Sequence, residues 1–305
     1  MRRVFLLTAF CLAAGSISAC KPDEVIQTEN IPTAGVRFIN AVPDTAGAFG
    51  FDFRWIDQLE NNAHFRMTYR NGPGKADSAV NSTQVQYKPV RAGSRTYRVF
   101  LDDTIQSLAS SVLAEGTVSL VAGRLYTAIM VGNARSPGAN MQVKFFEEVI
   151  ADPTTGVALR VINATGGPIE VRHYPHLGAP GAVTMTASAY DTSARVVVTT
   201  GRWRANVQPA GGGAPILAYD PYLMVGDTAF STAGPGGRKD IEALPGTRAA
   251  GSALTLIVYP PSVPPAVATA ANKTPQTTST TPGLSFVVPA GISVWDRRPP
   301  SVVVP

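Results

Sequence analysis

Apolar and polar positions alternate with a period of two through most of this chain, in short runs bounded by Gly, Pro and Asn. Val36-Arg37-Phe38-Ile39-Asn40-Ala41 and Phe51-Asp52-Phe53-Arg54 are representative. A period of two places successive side chains on opposite faces of a strand, so each run predicts a strand with one buried and one wet face. No window of a dozen residues carries a convincing 3.6-residue period. Residues 58–69 come nearest, yet His64, Phe65 and Met67 also fit strand spacing. The pattern predicts an all-β chain with little helix, its strands stacked as β-sandwiches.

The strand pattern occurs twice. Val36-Arg37-Phe38-Ile39-Asn40-Ala41 returns as Leu159-Arg160-Val161-Ile162-Asn163-Ala164 at an offset of 123. Phe51-Asp52-Phe53-Arg54 returns as Ile169-Glu170-Val171-Arg172 at 118. Gly93 leads to Tyr97 and Val99, as Gly201 leads to Trp203 and Ala205. Ala122-Gly123-Arg124-Leu125-Tyr126-Thr127-Ala128-Ile129 matches Ala250-Gly251-Ser252-Ala253-Leu254-Thr255-Leu256-Ile257 at 128. A closing strand, Val143 to Glu147, is matched to Ile292 to Asp296 at 149, which leaves 21 extra residues before the last strand of the second copy. The expected domains are 34–151 and 157–299, joined by the turn-rich linker Asp152-Pro153-Thr154-Thr155-Gly156 and arranged end to end with limited freedom. Residues 260–283 are dominated by Pro, Thr, Ala and Ser, a composition expected to form a disordered, exposed insertion, and 300–305 form a tail.

The N-terminus carries an address. Met1-Arg2-Arg3, the apolar run 4–14 and Ile17-Ser18-Ala19-Cys20 read as a lipoprotein signal peptide, residues 1–19, with an apolar core too short to span a bilayer. Cys20 becomes the first mature residue and the lipid attachment site. Cys11 is discarded with the signal, so no intramolecular disulfide remains to be made, and a thioether at Cys20 uses the last thiol. Diacylglycerol and palmitate chains anchor through about 0.8 kcal/mol per buried methylene. Lys21, where an Asp would favour inner-membrane retention, points to the outer membrane, facing periplasm or cell surface. Residues 20–33 form a tether reaching at most about 3.5 Å per residue.

Composition narrows the function. Losing 19 of 305 residues leaves 286, enough for two domains with separate cores. Two of the 26 basic residues leave with the signal, so 24 face 21 acidic ones and the mature charge is +3. The arginines are scattered singly among strands, without the basic patch a nucleic-acid partner requires.

These residues resemble a known family. The Val-Arg-Phe-Ile-Asn-Ala strand, the glycine-then-aromatic turn, the Ala-Gly-x-x-Tyr-Thr strand and the closing acidic strand are similar to the bacterial domain-of-unknown-function family 4397, over about residues 35–150 and, less closely, 157–299, where Leu254 replaces Tyr126. The resemblance implies two tandem immunoglobulin-like or transthyretin-like β-sandwich domains on an exported, lipid-anchored protein. It supplies no catalytic residues.

Candidate chemistry is sparse. His173-Tyr174-Pro175-His176, with Glu170 nearby, is the one close histidine pair, but residues three apart on a strand face opposite sides, which argues against a metal site. Asp102-Asp103 and Glu147-Glu148 lack the alternating acidic loop of a calcium cradle and read as solvated strand ends. Gly72-Pro73-Gly74-Lys75 and Gly234-Pro235-Gly236-Gly237-Arg238-Lys239 lack the context of phosphate loops and read as turns. No Gly-x-Ser-x-Gly elbow occurs. Phe51, Phe53, Tyr69 and Tyr97 are expected in the core, with Trp55 and Trp203 as possible ligand contacts at the surface. The expectation is a non-enzymatic envelope protein without metal or cofactor, anchored to the membrane through Cys20 and presenting loops or edge strands to an unknown envelope or extracellular protein or glycan. The alternatives are a carbohydrate-binding accessory lipoprotein using exposed aromatics and, more distantly, a hydrolase.

Overall fold

The computed structural model describes residues 31–45, 50–58, 64–67, 87–102, 106–134, 140–150, 153, 155–217, 219–226, 230–234, 237–241, 244–261 and 289–299. The signal peptide, Cys20, the tether up to residue 30, positions 262–283 of the expected insertion and the tail lie outside them. The described chain is all-β. Its only helical pieces are a 3₁₀ turn, Pro43–Thr45, and one turn of α-helix, Gln106–Ala109. Residues 64–67, the centre of the window closest to a helical period, form a strand.

The first sandwich is built from β1 (Thr33–Asn40), β2 (Phe51–Trp55), β3 (His64–Met67), β4 (Lys88–Arg91), β5 (Gly93–Leu101), β6 (Val112–Leu120), β7 (Leu125–Val131) and β8 (Gln142–Glu147). One sheet runs β4-β1-β7-β8 and the other β3-β2-β5-β6. Strands β1 and β7 pair in parallel, Arg37 opposite Thr127, and the other neighbours pair antiparallel. Ala34, Val36 and Phe38 of the first sheet meet Phe51, Phe53, Trp55 and Val99 of the second in a shared core. Its rings are in contact, with Phe53 stacked on Tyr97 at 5.3 Å and edge-on to Trp55 at 5.0 Å, geometries that add to simple burial.

The second sandwich follows the same plan with β9 (Val157–Asn163), β10 (Ile169–Pro175), β11 (Met185–Ala187), β12 (Asp191–Thr192), β13 (Val196–Val198), β14 (Trp203–Pro209), the hairpin β15 (Phe230–Gly234) and β16 (Gly237–Ile241), β17 (Ala253–Tyr259) and β18 (Ala290–Arg297). One sheet runs β12-β9-β17-β18, with β13 also on β9, and the other runs β11-β10-β14. Strands β9 and β17 pair in parallel with Arg160 opposite Thr255, the register of Arg37 and Thr127 in the first copy.

Two shared motifs are turns. Gly123 and Gly251 have φ of +74° and +82°, the left-handed region that glycine enters without a Cβ clash, and each closes a tight turn into β7 or β17. Asn40 and Asn163 end β1 and β9 by turning their side-chain oxygens to the backbone N–H two residues on, Val42 at 3.0 Å and Thr165 at 2.9 Å. Asx turns of this kind stop a strand because the side chain replaces the ladder.

The ladders also adjust two matches. Phe53 pairs with Val99 and Val171 with Val207, which aligns Gly93 with Gly201 but Tyr97 with Ala205, so Trp203 stands where the first copy has Arg95. Tyr126 pairs with Glu147 and Leu254 with Trp295, which sets the closing-strand offset at 148 rather than 149. Glu148 is thereby the counterpart of Asp296, and the second copy holds 20 extra residues.

The expected end-to-end arrangement is not what forms. Both sandwiches belong to one compact unit, and the sheet containing β1 and β7 packs its outer face on the sheet containing β9 and β17. Ile39, Ala41, Ile129 and Val131 of the first copy cluster with Ile162, Ala164, Ile257, Tyr259 and Val294 of the second. The central strands are therefore buried on both faces, and every residue of β9 and β17 is buried. On the second face Ile162, Ile257 and Tyr259 give an apolar patch as in sheets covered on both sides, interrupted by the buried Arg160 and Thr255.

Candidate functional site

At one end of this apolar contact lies a buried charged cluster. Arg37 on β1 points away from its own core because Val36 and Phe38 take the inward positions, and Arg160 on β9 does the same beside Leu159 and Val161. The Arg37 Nε donates to Thr127 Oγ1 at 2.7 Å, and that hydroxyl donates to Glu148 Oε1 at 2.5 Å. The Arg160 Nε donates to Thr255 Oγ1 at 2.8 Å, and that hydroxyl donates to Asp296 Oδ2 at 2.7 Å.

The outer guanidinium nitrogens then cross over, Arg37 Nη2 keeping in addition a longer 3.3 Å contact with Glu148 Oε1 of its own half. Arg37 Nη2 reaches Asp296 Oδ1 of the second sandwich at 2.6 Å, while Arg160 Nη2 lies 2.5 Å from both carboxylate oxygens of Glu148 in the first. Arg195 adds a third cation, 2.9 Å from Glu148 Oε2 and 2.9 Å from Asp296 Oδ2. Arg37 and both carboxylates have no exposed side-chain surface. The Arg37 guanidinium also lies 5.0 Å from the Tyr87 ring centroid.

Electrostatics favours the charged forms of Arg37 and Asp296, whereas at Arg160 burial outweighs the neighbouring acids and lowers the pKa. Burial alone would lower the Arg37 pKa, but the Asp296 and Glu148 carboxylates outweigh it and the guanidinium is driven further toward its protonated form. Burial would raise Asp296, and the three guanidiniums more than offset it, so its carboxyl is held below the usual range. Burial raises the Tyr87 phenol well above its ordinary value, which keeps it neutral. A buried pair with satisfied hydrogen bonds adds little net stability over an apolar replacement, but leaving one member unpaired is strongly unfavourable. The cluster thus fixes which faces meet and in what register.

A second polar group lies on the outer face of β10 and β14. Tyr174 donates to Asp220 Oδ2 at 2.6 Å and Asn206 donates to Asp220 Oδ1 at 2.9 Å. Arg204 donates to the Tyr222 hydroxyl and stands 4.1 Å from that ring's centroid, and the hydroxyl is 2.8 Å from His176 Nδ1. These contacts strap the segment from Ile216 to Leu223 along β14, where Ile216 N–H, Leu223 N–H and Pro221 C=O bond to the strand's backbone. Tyr222 and Tyr219, 46% and 69% exposed, are the large aromatics this face offers to solvent.

Trp55, expected at the surface, lies in the core of the first sandwich. It is 2% exposed and packs among Phe53, Tyr97 and Phe145, so it leaves the set of surface contacts. Trp203 is half-buried, donates to Thr199 O at 2.9 Å and lies edge-on to His173 at 5.1 Å. His173 occupies the place of Trp55 on the core side of its strand, and burial lowers its pKa. The two histidines take different partners, Trp203 and Tyr222, and Glu170 accepts from Gly211 N–H at 2.9 Å. Glu147 is surface-exposed and pairs with Arg124, but Glu148 is no solvated strand end: it lies at the centre of the charged cluster. Gly234 and Gly237 pair across the β15–β16 hairpin, and Arg238 and Lys239, expected in a turn, belong to β16. Among the described residues no group of three or more His, Cys, Asp or Glu is placed to hold a metal. Asp103, Tyr69 and residues 72–75 lie outside the described residues.

Sequence reasoning missed the charged cluster. A signal existed, because arginine, threonine and an acid recur at matching places in both copies although surface positions have no physical need to match. Fold and site define a class: a tandem β-sandwich protein whose two halves are joined through a shared sheet face with buried, crossed ion pairs. Models of known protein families give no match to this chain, and neither do curated proteins.

Proposed function

We propose that this chain is a lipid-anchored cell-envelope protein, held in the outer membrane through acyl chains on Cys20, whose joined sandwiches bind or position a protein partner rather than catalyse a reaction. The observation that carries this reading is the coupling of the sandwiches: Arg37, Arg160, Arg195, Glu148 and Asp296 are engaged with one another, which suits a stiff presenting body.

Strand addition is favoured on β6. This nine-residue edge strand contains no proline, carries Glu115 as its one charge and, among the described residues, is paired only with β5. From Ala114 to Leu120 the strand runs in unbroken register against β5, its one bulge falling at Leu113, and an edge of this kind accepts an added strand through its unpaired backbone groups. The corresponding edge of the second sandwich is the irregular segment containing Pro221.

The test is fractionation and protease shaving of intact cells, comparing the natural chain with Cys20→Ala. Membrane association lost in Cys20→Ala, with the protease-resistant body retained, is the expected result; a variant that stays membrane-bound overturns the anchor. A carbohydrate-binding reading has one observation in its favour, the exposed Tyr219 and Tyr222 beside Arg204 and Asp220. Glycan-dependent quenching that Tyr222→Ala abolishes would select it.

A further inference from the structure

The contact between the sandwiches is reciprocal. Arg37 of the first half reaches the acid of the second, and Arg160 of the second, its counterpart, reaches the acid of the first. The threonine relays repeat inside each half. The apolar part repeats as well, Ile39 and Ile129 corresponding to Ile162 and Ile257. Contact of residue i with j, and of the counterpart of j with the counterpart of i, is the property of an isologous interface between identical subunits. A linker that merely brought two domains together would impose no such relation.

We infer that this sheet face is a pairing surface for a second copy of the same sandwich, and that the chain is a tethered pseudo-dimer in which each half occupies the other. One charged position breaks the symmetry. Lys88 pairs with Val36 and Val196 with Leu159, so one step further along each ladder Tyr87 stands opposite Arg37 and Arg195 opposite Arg160. Two second halves would bury four guanidiniums against two carboxylates, and like charges left unpaired in a buried site are strongly unfavourable. The unlike pairing buries three against two, with the neutral Tyr87 in the fourth place. The Tyr87/Arg195 difference therefore selects the unlike pair against pairing of two second halves, a repulsive element of the kind specific interfaces use. Side-chain volume follows the same logic: Val131 corresponds to Tyr259, and Phe146 to Val294.

The experiment inserts a protease site between Asp152 and Gly156 of the full chain, cuts the folded protein and measures particle mass by native mass spectrometry and gel filtration at micromolar concentration. The two fragments are expected to remain one particle of the uncut mass. Separation of the halves, folded or not, overturns the proposal. In the same cut chain Arg195→Tyr is expected to keep the particle, because two guanidiniums then face two carboxylates, and Tyr87→Arg to release the halves. Retention of the particle by Tyr87→Arg would overturn the selective role given to this pair.

Discussion

Arg37 Nη2 donates to Asp296 Oδ1 at 2.6 Å across 259 residues of sequence, with both side chains fully buried. Four further side chains with matching counterparts complete the arrangement, so the contact is one half of a reciprocal pair. Its removal should be felt in both sandwiches.

Arg37→Met is expected to lower unfolding free energy by about 1–3 kcal/mol, because the buried acceptors Thr127 Oγ1 and Asp296 Oδ1 lose their donor while Arg195 still neutralises Asp296. Arg160→Met should do the same. Arg98, whose pair with Glu115 is exposed on both sides, is the control, with about 0–1 kcal/mol expected for Arg98→Met. Urea denaturation measures all three, and equal losses at Arg37 and Arg98 would show that burial does not govern the pair.

Thr255→Val keeps the volume of the side chain but removes both the acceptor for Arg160 Nε and the donor to Asp296 Oδ2. A loss of about 1–3 kcal/mol is expected, the desolvation cost of the groups left behind. Thr127→Val should match it, and a double-mutant cycle with Arg37→Met should give less than the sum because the two share one network.

Acid should act in two stages. The His173 pKa is lowered by burial, so its contribution is present above the unfolded value of about 6.5 and is lost as pH falls through the lower folded value. Asp296 is also held below its ordinary range, so its contribution is present above about 3.9 and lost as pH falls further. Melting temperature followed from pH 8 to 2 is expected to decline first below about 6.5 and again below about 3.9. Asp296→Asn should flatten the second decline and His173→Gln the first. The raised pKa of Arg37 acts the other way, its contribution being lost only on the far alkaline side.

The shared turns give a smaller, separable effect. Gly123 has φ of +74° and open space where a Cβ would stand, so Gly123→Ala carries backbone strain without a clash, roughly 1–2 kcal/mol. Asn163→Ala removes the amide that donates to Gly167 O and Ser188 O as well as the acceptor for Thr165 N–H, and should cost more. Thermal denaturation that ranked Gly123→Ala above Asn163→Ala would contradict this account.

The strand content, the duplication and the turns could be read directly from residue order. A period of two, a glycine after alanine at the start of β7 and β17, and an asparagine at the end of β1 and β9 all act within a few residues of themselves. Trp55 and Trp203 mark where such reading stops. Both sit on inward-facing strand positions, and which is sealed depends on the neighbours: Phe53, Tyr97 and Phe145 enclose Trp55, while Trp203 keeps an edge near the surface.

The amino-acid order alone determined that Arg37 and Arg160 lie on the face opposite the apolar side chains of their strands, since alternation is a property of the extended backbone. Whether that face meets water or another sheet was decided by tertiary packing, because alternation says which side a residue takes and nothing about what covers it. Register decided the rest. A closing-strand offset of 149 would have matched the exposed Glu147 with Asp296, and the paired ladders set it at 148, which brings Glu148 there instead. One residue along a strand exchanges the two faces, and it is long-range pairing with β7 and β17 that selects the buried acid.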